Sequence, residues 1–81
     1  MDAEELVRAV KRRPFAPIRI RLSDGSHCDI THPDQIMVAR RWSYVGVGGN
    51  GDAPFEGTAI LDNLHITRID PLRRTRKTGS R

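Results

Sequence analysis

The chain has 81 residues, of which 37% are hydrophobic and 30% charged, with 14 Lys and Arg against 10 Asp and Glu. This length suits one small domain with a core of only just sufficient size, and it excludes a second domain. The longest apolar run, Ile36 to Ala39, is too short for a membrane span or a signal peptide, so we expect a cytoplasmic protein. The single cysteine, Cys28, excludes an intramolecular disulfide and any site that needs a cysteine pair.

The positive charge is concentrated at the C-terminal end. Residues 1–70 carry 9 Lys and Arg and all 10 acids, a formal charge of −1, whereas residues 71–81 carry five Lys and Arg and no acid. A basic segment with one apolar residue after its proline has little to offset the entropy of ordering. We therefore expect residues 1–72 to form the domain and residues 73–81 to be a disordered basic tail.

The first predicted element is a helix over residues 2–13. Asp2 and Glu5 have the spacing of a capping box, and acidic residues precede basic ones along the segment, which suits the helix dipole. Pro14 ends the helix. Its apolar stripe is thin, so we expect it to pack against the rest of the domain.

After the helix, apolar residues recur at every second position, which predicts strands. Residues 18–22 and 28–30 alternate around Asp24-Gly25, a pair that accepts the positive φ of a tight turn, so they form a hairpin. Residues 36–39 are all apolar, so both sides of a strand formed by them would be apolar. This favours a strand covered on both faces. We expect the helix to supply part of that cover.

Two further strands complete the predicted sheet. Residues 44–47 form the fourth strand, and residues 58–69 form a fifth that a turn at Asp62-Asn63 interrupts. The glycine-rich segment 48–57 predicts a mobile loop with Phe55 as its anchor. The fold class is therefore mainly β (α+β), an N-terminal helix followed by a strongly bent five-stranded antiparallel small β-barrel. The predicted core is Leu6, Val10, Ile18, Ile20, Leu22, Ile30, Val38, Val45, Val47, Leu61, Ile66 and Ile69.

This order of elements resembles that of the Sm-like barrels, including the bacterial Hfq proteins, and of other SH3-like small barrels. Ile18 to Gly25 is similar to their first signature and Leu61 to Pro71 to the second. The whole sequence also resembles small bacterial proteins without an assigned activity. Across residues 4–72 the resemblance implies a small barrel and ring assembly through sheet edges. The Lys-His pair that contacts RNA in Hfq proteins falls at Asn63-Leu64, so no uridine pocket is implied here.

The most suggestive local cluster is Arg40-Arg41-Trp42-Ser43-Tyr44, because guanidinium groups beside aromatic rings can hold phosphates and stack bases. Ordinary packing of the aromatic rings is the alternative. Arginines at the outward-facing positions of the first and last strands could extend the cluster. The favoured interpretation is that they form a solvated face that protects a sheet edge. The full candidate interaction surface is Arg40, Arg41, Trp42, Tyr44, Arg19, Arg21, Arg68, Arg73, Arg74 and Arg76.

Catalytic and metal-binding motifs are not evident in the sequence. The three histidines, His27, His32 and His65, lack the spacing of known ligand sets, and the inward parity of Cys28 favours a structural thiol. No nucleophile is paired with an oriented base, and the glycine run lacks the lysine of a phosphate loop. We therefore expect no enzymatic activity, no metal and no cofactor.

Two functions of different classes remain. One is a protein-interaction or assembly module, in which an open sheet edge and Trp42 mediate self-association. The other is an accessory RNA-binding or single-stranded nucleic-acid-binding protein that uses the basic tail and the Arg40 to Tyr44 cluster. The first is favoured because residues 1–70 are nearly neutral. We expect the partner to be a second copy or another protein, with nucleic acid as the alternative, and we expect neither a membrane nor a small-molecule substrate.

Overall fold

The computed structural model describes residues 1–49 and 54–72. The elements of this part are α1 (Ala3–Lys11), β1 (Ile18–Leu22), β2 (His27–Ile30), β3 (Ile36–Val38), β4 (Trp42–Val47), β5 (Gly57–Asp62) and β6 (Ile66–Pro71). The strands form two antiparallel three-stranded sheets, a first sheet of order β2-β1-β6 and a second of order β3-β4-β5. Within these residues, none of the helical structure has the length and apolarity needed to cross a membrane.

The prediction of a mainly β domain with an N-terminal helix is confirmed, and the strand arrangement is corrected. In the part of the chain that the structure describes, six strands form two sheets instead of five strands in one closed barrel. The sheets separate where the 3-10 turn Pro33–Gln35 breaks the second predicted strand from the third. The side-chain amide of Gln35 donates to the carbonyls of Asp29 at 3.0 Å and Gly46 at 3.2 Å, so it links β2 to β4 across this break.

The β1–β2 hairpin turns at the predicted Asp24-Gly25 pair. Gly25 has φ +91°, a conformation that costs little without a Cβ, and its N–H donates to the Leu22 carbonyl at 3.0 Å. The Asp24 carboxylate accepts hydrogen bonds from the N–H and the hydroxyl of Ser26 at 2.9 and 2.6 Å, which lowers its pKa. The turn therefore fixes the hairpin register, in which Ile18 lies opposite Ile30.

The core is formed by the inner faces of the two sheets and the apolar stripe of α1. Its buried residues are Leu6, Val10, Ile18, Ile20, Ile30, Ile36, Val45, Leu61 and Ile66. Three other predicted members, Leu22, Val38 and Ile69, are half-buried against this cluster. The prediction is wrong for Val47, which is 40% exposed at the end of β4.

The prediction that residues 36–39 form a strand covered on both faces is also wrong. Ile36 is buried, and α1 packs beside β3. Met37, however, points to the other side of the strand and is 63% exposed. The predicted disordered tail, residues 73–81, lies outside the described residues, as do residues 50–53 of the predicted mobile loop.

Candidate functional site

The outer side of the second sheet carries a row of apolar side chains. The antiparallel register places Met37, Tyr44 and Ile60 directly opposite one another on β3, β4 and β5. Met37 is 63% exposed, Ile60 is 59% exposed, and Tyr44 is half-buried. Side chains directly opposite on neighbouring strands contact each other, so these three form one row across the sheet. We call Met37, Trp42, Tyr44, Phe55 and Ile60 together the apolar face.

Phe55 extends the apolar face toward the end of the second sheet. Gly46 follows Tyr44 by two residues and so lies on the same side of β4. A Cβ at Gly46 would be 2.5 Å from Cδ2 of Phe55, which means that the ring fills the space of the missing side chain. The ring is nonetheless 52% exposed. Phe55 therefore anchors the segment that leads into β5, as the sequence predicts, and adds an aromatic ring to the exposed surface.

Trp42 lies at the opposite end of the apolar face, beside two arginines. The guanidinium carbon of Arg41 is 5.6 Å from the centroid of the Trp42 ring, which is a cation–π contact. The Nη2 atom of Arg41 is 3.6 Å from the Asp62 carboxylate. Trp42 is opposite Asp62 in the register and is 42% exposed. Arg40 is exposed and makes no ion pair with the residues that the structure describes. Because Asp62 offsets Arg41 and Arg40 stays unpaired among these residues, this end of the face is basic on balance as well as aromatic.

A buried asparagine, predicted from the sequence only as a turn residue, fixes the turn that presents these residues. The Oδ1 atom of Asn63 accepts a hydrogen bond from the Ser43 hydroxyl at 2.6 Å, and its amide group donates to the carbonyls of Ala39 at 2.9 Å and Arg40 at 3.2 Å. Its backbone N–H donates to the Arg41 carbonyl at 2.8 Å. Only 2% of Asn63 is exposed. The amide is thus fully used inside the domain.

The three arginines predicted at outer parity on the first sheet lie there and are paired with carboxylates. Nε of Arg19 is 2.8 Å from Asp29, and Nε of Arg68 is 3.1 Å from Asp70. Arg21 also binds Asp70, and the register places it opposite Arg68. These arginines belong to a different sheet from the aromatic cluster, so the structure does not combine the two groups on one sheet face.

These ion pairs shift the titration of both carboxyl groups. The hydrogen bond from Arg19 holds the pKa of Asp29 below its ordinary value, and the hydrogen bond from Arg21, with the nearby charge of Arg68, does the same for the pKa of Asp70. Because the carboxylates stay ionised, they offset the charge of the arginines. The outer face of the first sheet is therefore a mixed-charge surface. Arg73, Arg74 and Arg76, the remaining candidates, lie outside the described residues.

A Ser–His pair closes the end of the first sheet. Oγ of Ser23 is 3.0 Å from Nδ1 of His65, and the Ser23 N–H donates to the His65 carbonyl at 2.8 Å. A pocket of about 330 Å³ lies beside them. A catalytic serine needs a base whose other nitrogen is oriented by a third group. Within the described residues the only hydrogen bond of the His65 ring is to Ser23, so the pair links two chain segments.

The remaining polar groups that could support chemistry are dispersed. Across residues 1–49 and 54–72, no three His, Cys, Asp or Glu side chains are placed to hold a metal ion. Cys28 is half-buried, and burial raises the pKa of its thiol, which favours the unreactive protonated form. The feature that distinguishes this molecule is therefore the apolar face.

In comparisons with known proteins, the chain matches no family model, no curated protein and no solved structure. The resemblance to Sm-like barrels and to small bacterial proteins stays a prediction that rests on the residues quoted for it. The features that bear on function are therefore the surfaces of the molecule itself, the outer faces of its two sheets.

Proposed function

We propose that the chain is a non-enzymatic protein-interaction module that assembles with a second copy of itself through the apolar face. The observation that carries this proposal is the exposed row of Met37, Tyr44 and Ile60 in direct cross-strand register. Single exposed apolar residues are common on protein surfaces, whereas apolar side chains that adjoin one another mark binding sites. Removing this row from water favours association through the hydrophobic effect.

The distribution of charge around the apolar face favours a second copy as the partner. At the Trp42 end, Arg41 is paired with Asp62, whereas Arg40 makes no ion pair with a described residue and leaves this end with a net positive charge. The carboxylate side chain of Glu56 lies against Gly48 at the other end. Two copies packed face to face about a two-fold axis, with β4 antiparallel to its counterpart, bring each basic end to an acidic end. The same surface is then self-complementary in both hydrophobicity and charge.

We further propose that the two sheets are the halves of an Sm-like or SH3-like small barrel in a cytoplasmic protein. Strands β2 and β3 count as one strand interrupted at Pro33–Gln35, and the chain then has the five strands that the resemblance implies. A 3-10 turn, Asn63–His65, connects the last two strands. The apolar face consists of side chains on the outer side of the second sheet and not of the backbone groups of a sheet edge, so it favours face-to-face pairing over a ring joined by sheet edges.

Sedimentation and light scattering across a wide concentration range test the proposal. We expect a dimer for the natural sequence, and Ile60→Asp should weaken it by about 30-fold or more, the loss typical of a central interface residue. Leu64→Asp is the matched control, because Leu64 is 72% exposed in the turn after β5 and is not part of the apolar face. This variant should dimerise normally.

Circular dichroism should show that both variants fold, since both side chains are mostly exposed. A monomeric mass for the natural sequence at every concentration contradicts the proposal. Equal weakening by Ile60→Asp and Leu64→Asp contradicts it too, because it would place the interface elsewhere.

The cation–π contact of Arg41 with Trp42 supports a second candidate function, the binding of RNA or other single-stranded nucleic acid. If a base stacks on the indole, Trp42→Ala should weaken binding of an oligouridine by about 5- to 150-fold. Arg19→Ala should leave binding unchanged, because Arg19 is paired with Asp29 on the other sheet. Deletion of residues 73–81 should flatten the salt dependence. Equal binding by the natural sequence and Trp42→Ala, or no binding at low salt, leaves the interaction module as the function.

A further inference from the structure

A second surface of the domain is a groove between α1 and β3. It has a volume of about 390 Å³, and Val7, Val10 and Lys11 of the helix line one side while residues 36–38 of the strand line the other. This size is in the range of sites that bind small ligands and peptide side chains. Most of the lining is apolar. The groove lies beside the apolar face, and Met37 borders both surfaces.

Among residues 1–49 and 54–72, part of the β3 backbone beside this groove has no hydrogen-bond partner. β3 is at the edge of its sheet and, among the described residues, has β4 as its one partner strand. The Ala39 N–H donates to the Trp42 carbonyl. In an antiparallel pair every second residue bonds to the partner strand, so Ala39 and Met37 are the residues whose backbone groups face β4. The N–H and C=O groups of Ile36 and Val38 therefore point away from β4, at the free edge of the sheet.

The charged side chains of the groove are two bases and one acid. Lys11 and Arg13 line its basic end, where α1 ends, and Asp34 lines it from the 3-10 turn before β3. None of the three makes an ion pair with the residues that the structure describes, so the lining is basic on balance. Arg13 donates instead to the carbonyls of Arg12 at 2.9 Å and Val10 at 3.4 Å. Residues 71–81 of this chain are basic and contain no acid, so their charge disfavours them as the occupant. The complementary ligand is an acidic one.

We propose that this groove binds an extended, acidic segment of a partner protein, which adds to the second sheet as a strand beside β3. Its backbone pairs with the free groups of Ile36 and Val38. Alternate side chains enter the apolar space beside Val7, and a carboxylate near the end of the segment pairs with Lys11. The unpaired edge, the apolar lining and the basic end each supply one of these contacts. The proposal does not rest on self-association through the apolar face.

Fluorescence anisotropy with labelled hexapeptides tests the proposal. The probe alternates valine and threonine and ends in two aspartates, and its matched peptide ends in two lysines. We expect the full chain to bind the acidic peptide at least about tenfold more tightly than the basic one. Lys11→Glu should weaken binding of the acidic peptide by a similar factor. Arg8→Glu makes the same change of charge on an exposed helix residue outside the groove and should retain binding.

Backbone pairing has its own test, because N-methylation of the peptide at the positions that face β3 removes its donors. The methylated acidic peptide should lose binding, and retention of binding overturns strand addition. Equal affinity for the acidic and basic peptides, or equal effects of Lys11→Glu and Arg8→Glu, also overturns the proposal.

The test separates this surface from the apolar face. Ile60 does not line the groove, so Ile60→Asp should bind the acidic peptide like the natural sequence whether or not the chain dimerises. If Ile60→Asp instead weakens binding of the acidic peptide as much as Lys11→Glu does, the peptide occupies the apolar face and the proposal is overturned.

Discussion

The outer faces of the two sheets follow the same strand geometry and carry opposite chemistry. On the first sheet, Arg19 and Arg21 project outward from β1 and are paired with carboxylates on the neighbouring strands. On the second sheet, Tyr44 projects outward from β4 between Met37 and Ile60, which are mostly exposed. The charges on the outer face of the first sheet are thus paired within the chain, whereas the outer face of the second sheet keeps apolar area in contact with water.

This difference shows how a small domain separates a solvent face from a binding face. Exposed ion pairs contribute little to folding, but charges on a sheet prevent unwanted pairing with other chains. The exposed row on the second sheet contributes little to folding either, because its area remains hydrated in the isolated chain. Only burial against a partner recovers that area, which makes the second sheet the side on which we expect association.

Substitution of Asn63, which supports the turn at one end of the apolar face, is expected to give the largest loss of stability. It tests whether the second sheet needs this turn to present its outer face. Asn63→Leu leaves the Ser43 hydroxyl and the Ala39 carbonyl without their buried partner. We expect a loss of about 2–4 kcal/mol in the free energy of unfolding. Urea denaturation followed by the fluorescence of Trp42, the single tryptophan, measures it.

Leu64→Ala is the control for this prediction, because the neighbouring Leu64 side chain is 72% exposed and should contribute less than about 0.5 kcal/mol. Similar losses for the two variants would mean that the Asn63 hydrogen bonds do not hold the turn.

A smaller loss of stability is expected from a substitution at Gly46, where the Phe55 ring of the apolar face occupies the space of the missing side chain. Gly46→Ala would place a methyl group 2.5 Å from the Phe55 ring and should cost about 1–3 kcal/mol while displacing the ring. Gly57→Ala is the matched control, because its nearest neighbour would be Cγ2 of Val47 at 3.7 Å. Dimer dissociation measured by sedimentation should rise for Gly46→Ala alone. Identical behaviour of the two alanine variants would exclude Phe55 from the interface.

The β1–β2 hairpin was predictable from sequence, whereas the pairing of β1 with β6 and the exposed outer face of the second sheet were not. In β1, Ile18 and Ile20 alternate with arginines, and a period of two assigns each residue to one side of the strand. Residues 36–38 are all apolar, so the pattern indicates burial on both sides, yet Met37 is exposed. Apolar character alone does not distinguish a residue that contacts the core from one that contacts a partner.

The candidate site was only partly predictable for a related reason. Trp42 and Tyr44 were identifiable because they lie close to arginines in the sequence. Ile60 joins them through the register between β4 and β5, which no local pattern specifies. Asn63 has the sequence signature of a turn residue, and its burial depends on backbone carbonyls more than 20 residues away.

The smallest predicted effect concerns the first sheet and its response to acid. The pKa values of Asp29 and Asp70 are lowered in the folded chain, so unfolding raises their affinity for protons. Their stabilisation is therefore present above the unfolded-state pKa of about 3.9 and is lost as the pH falls through the lower folded-state values. The Tm of the natural sequence should accordingly decrease between pH 7 and pH 3.

Asp29→Asn should lower the Tm slightly at pH 7 and reduce its further decrease at pH 3, because the Arg19 ion pair is already missing. Asp34→Asn is the control, since Asp34 is exposed and makes no ion pair with any described residue. It should follow the natural sequence. Neither variant should alter dimerisation at pH 7, because neither residue belongs to the apolar face. Parallel pH profiles for the two variants would show that the ion pairs of the first sheet do not couple to folding, and weaker dimerisation of Asp29→Asn would extend the binding surface to both sheets.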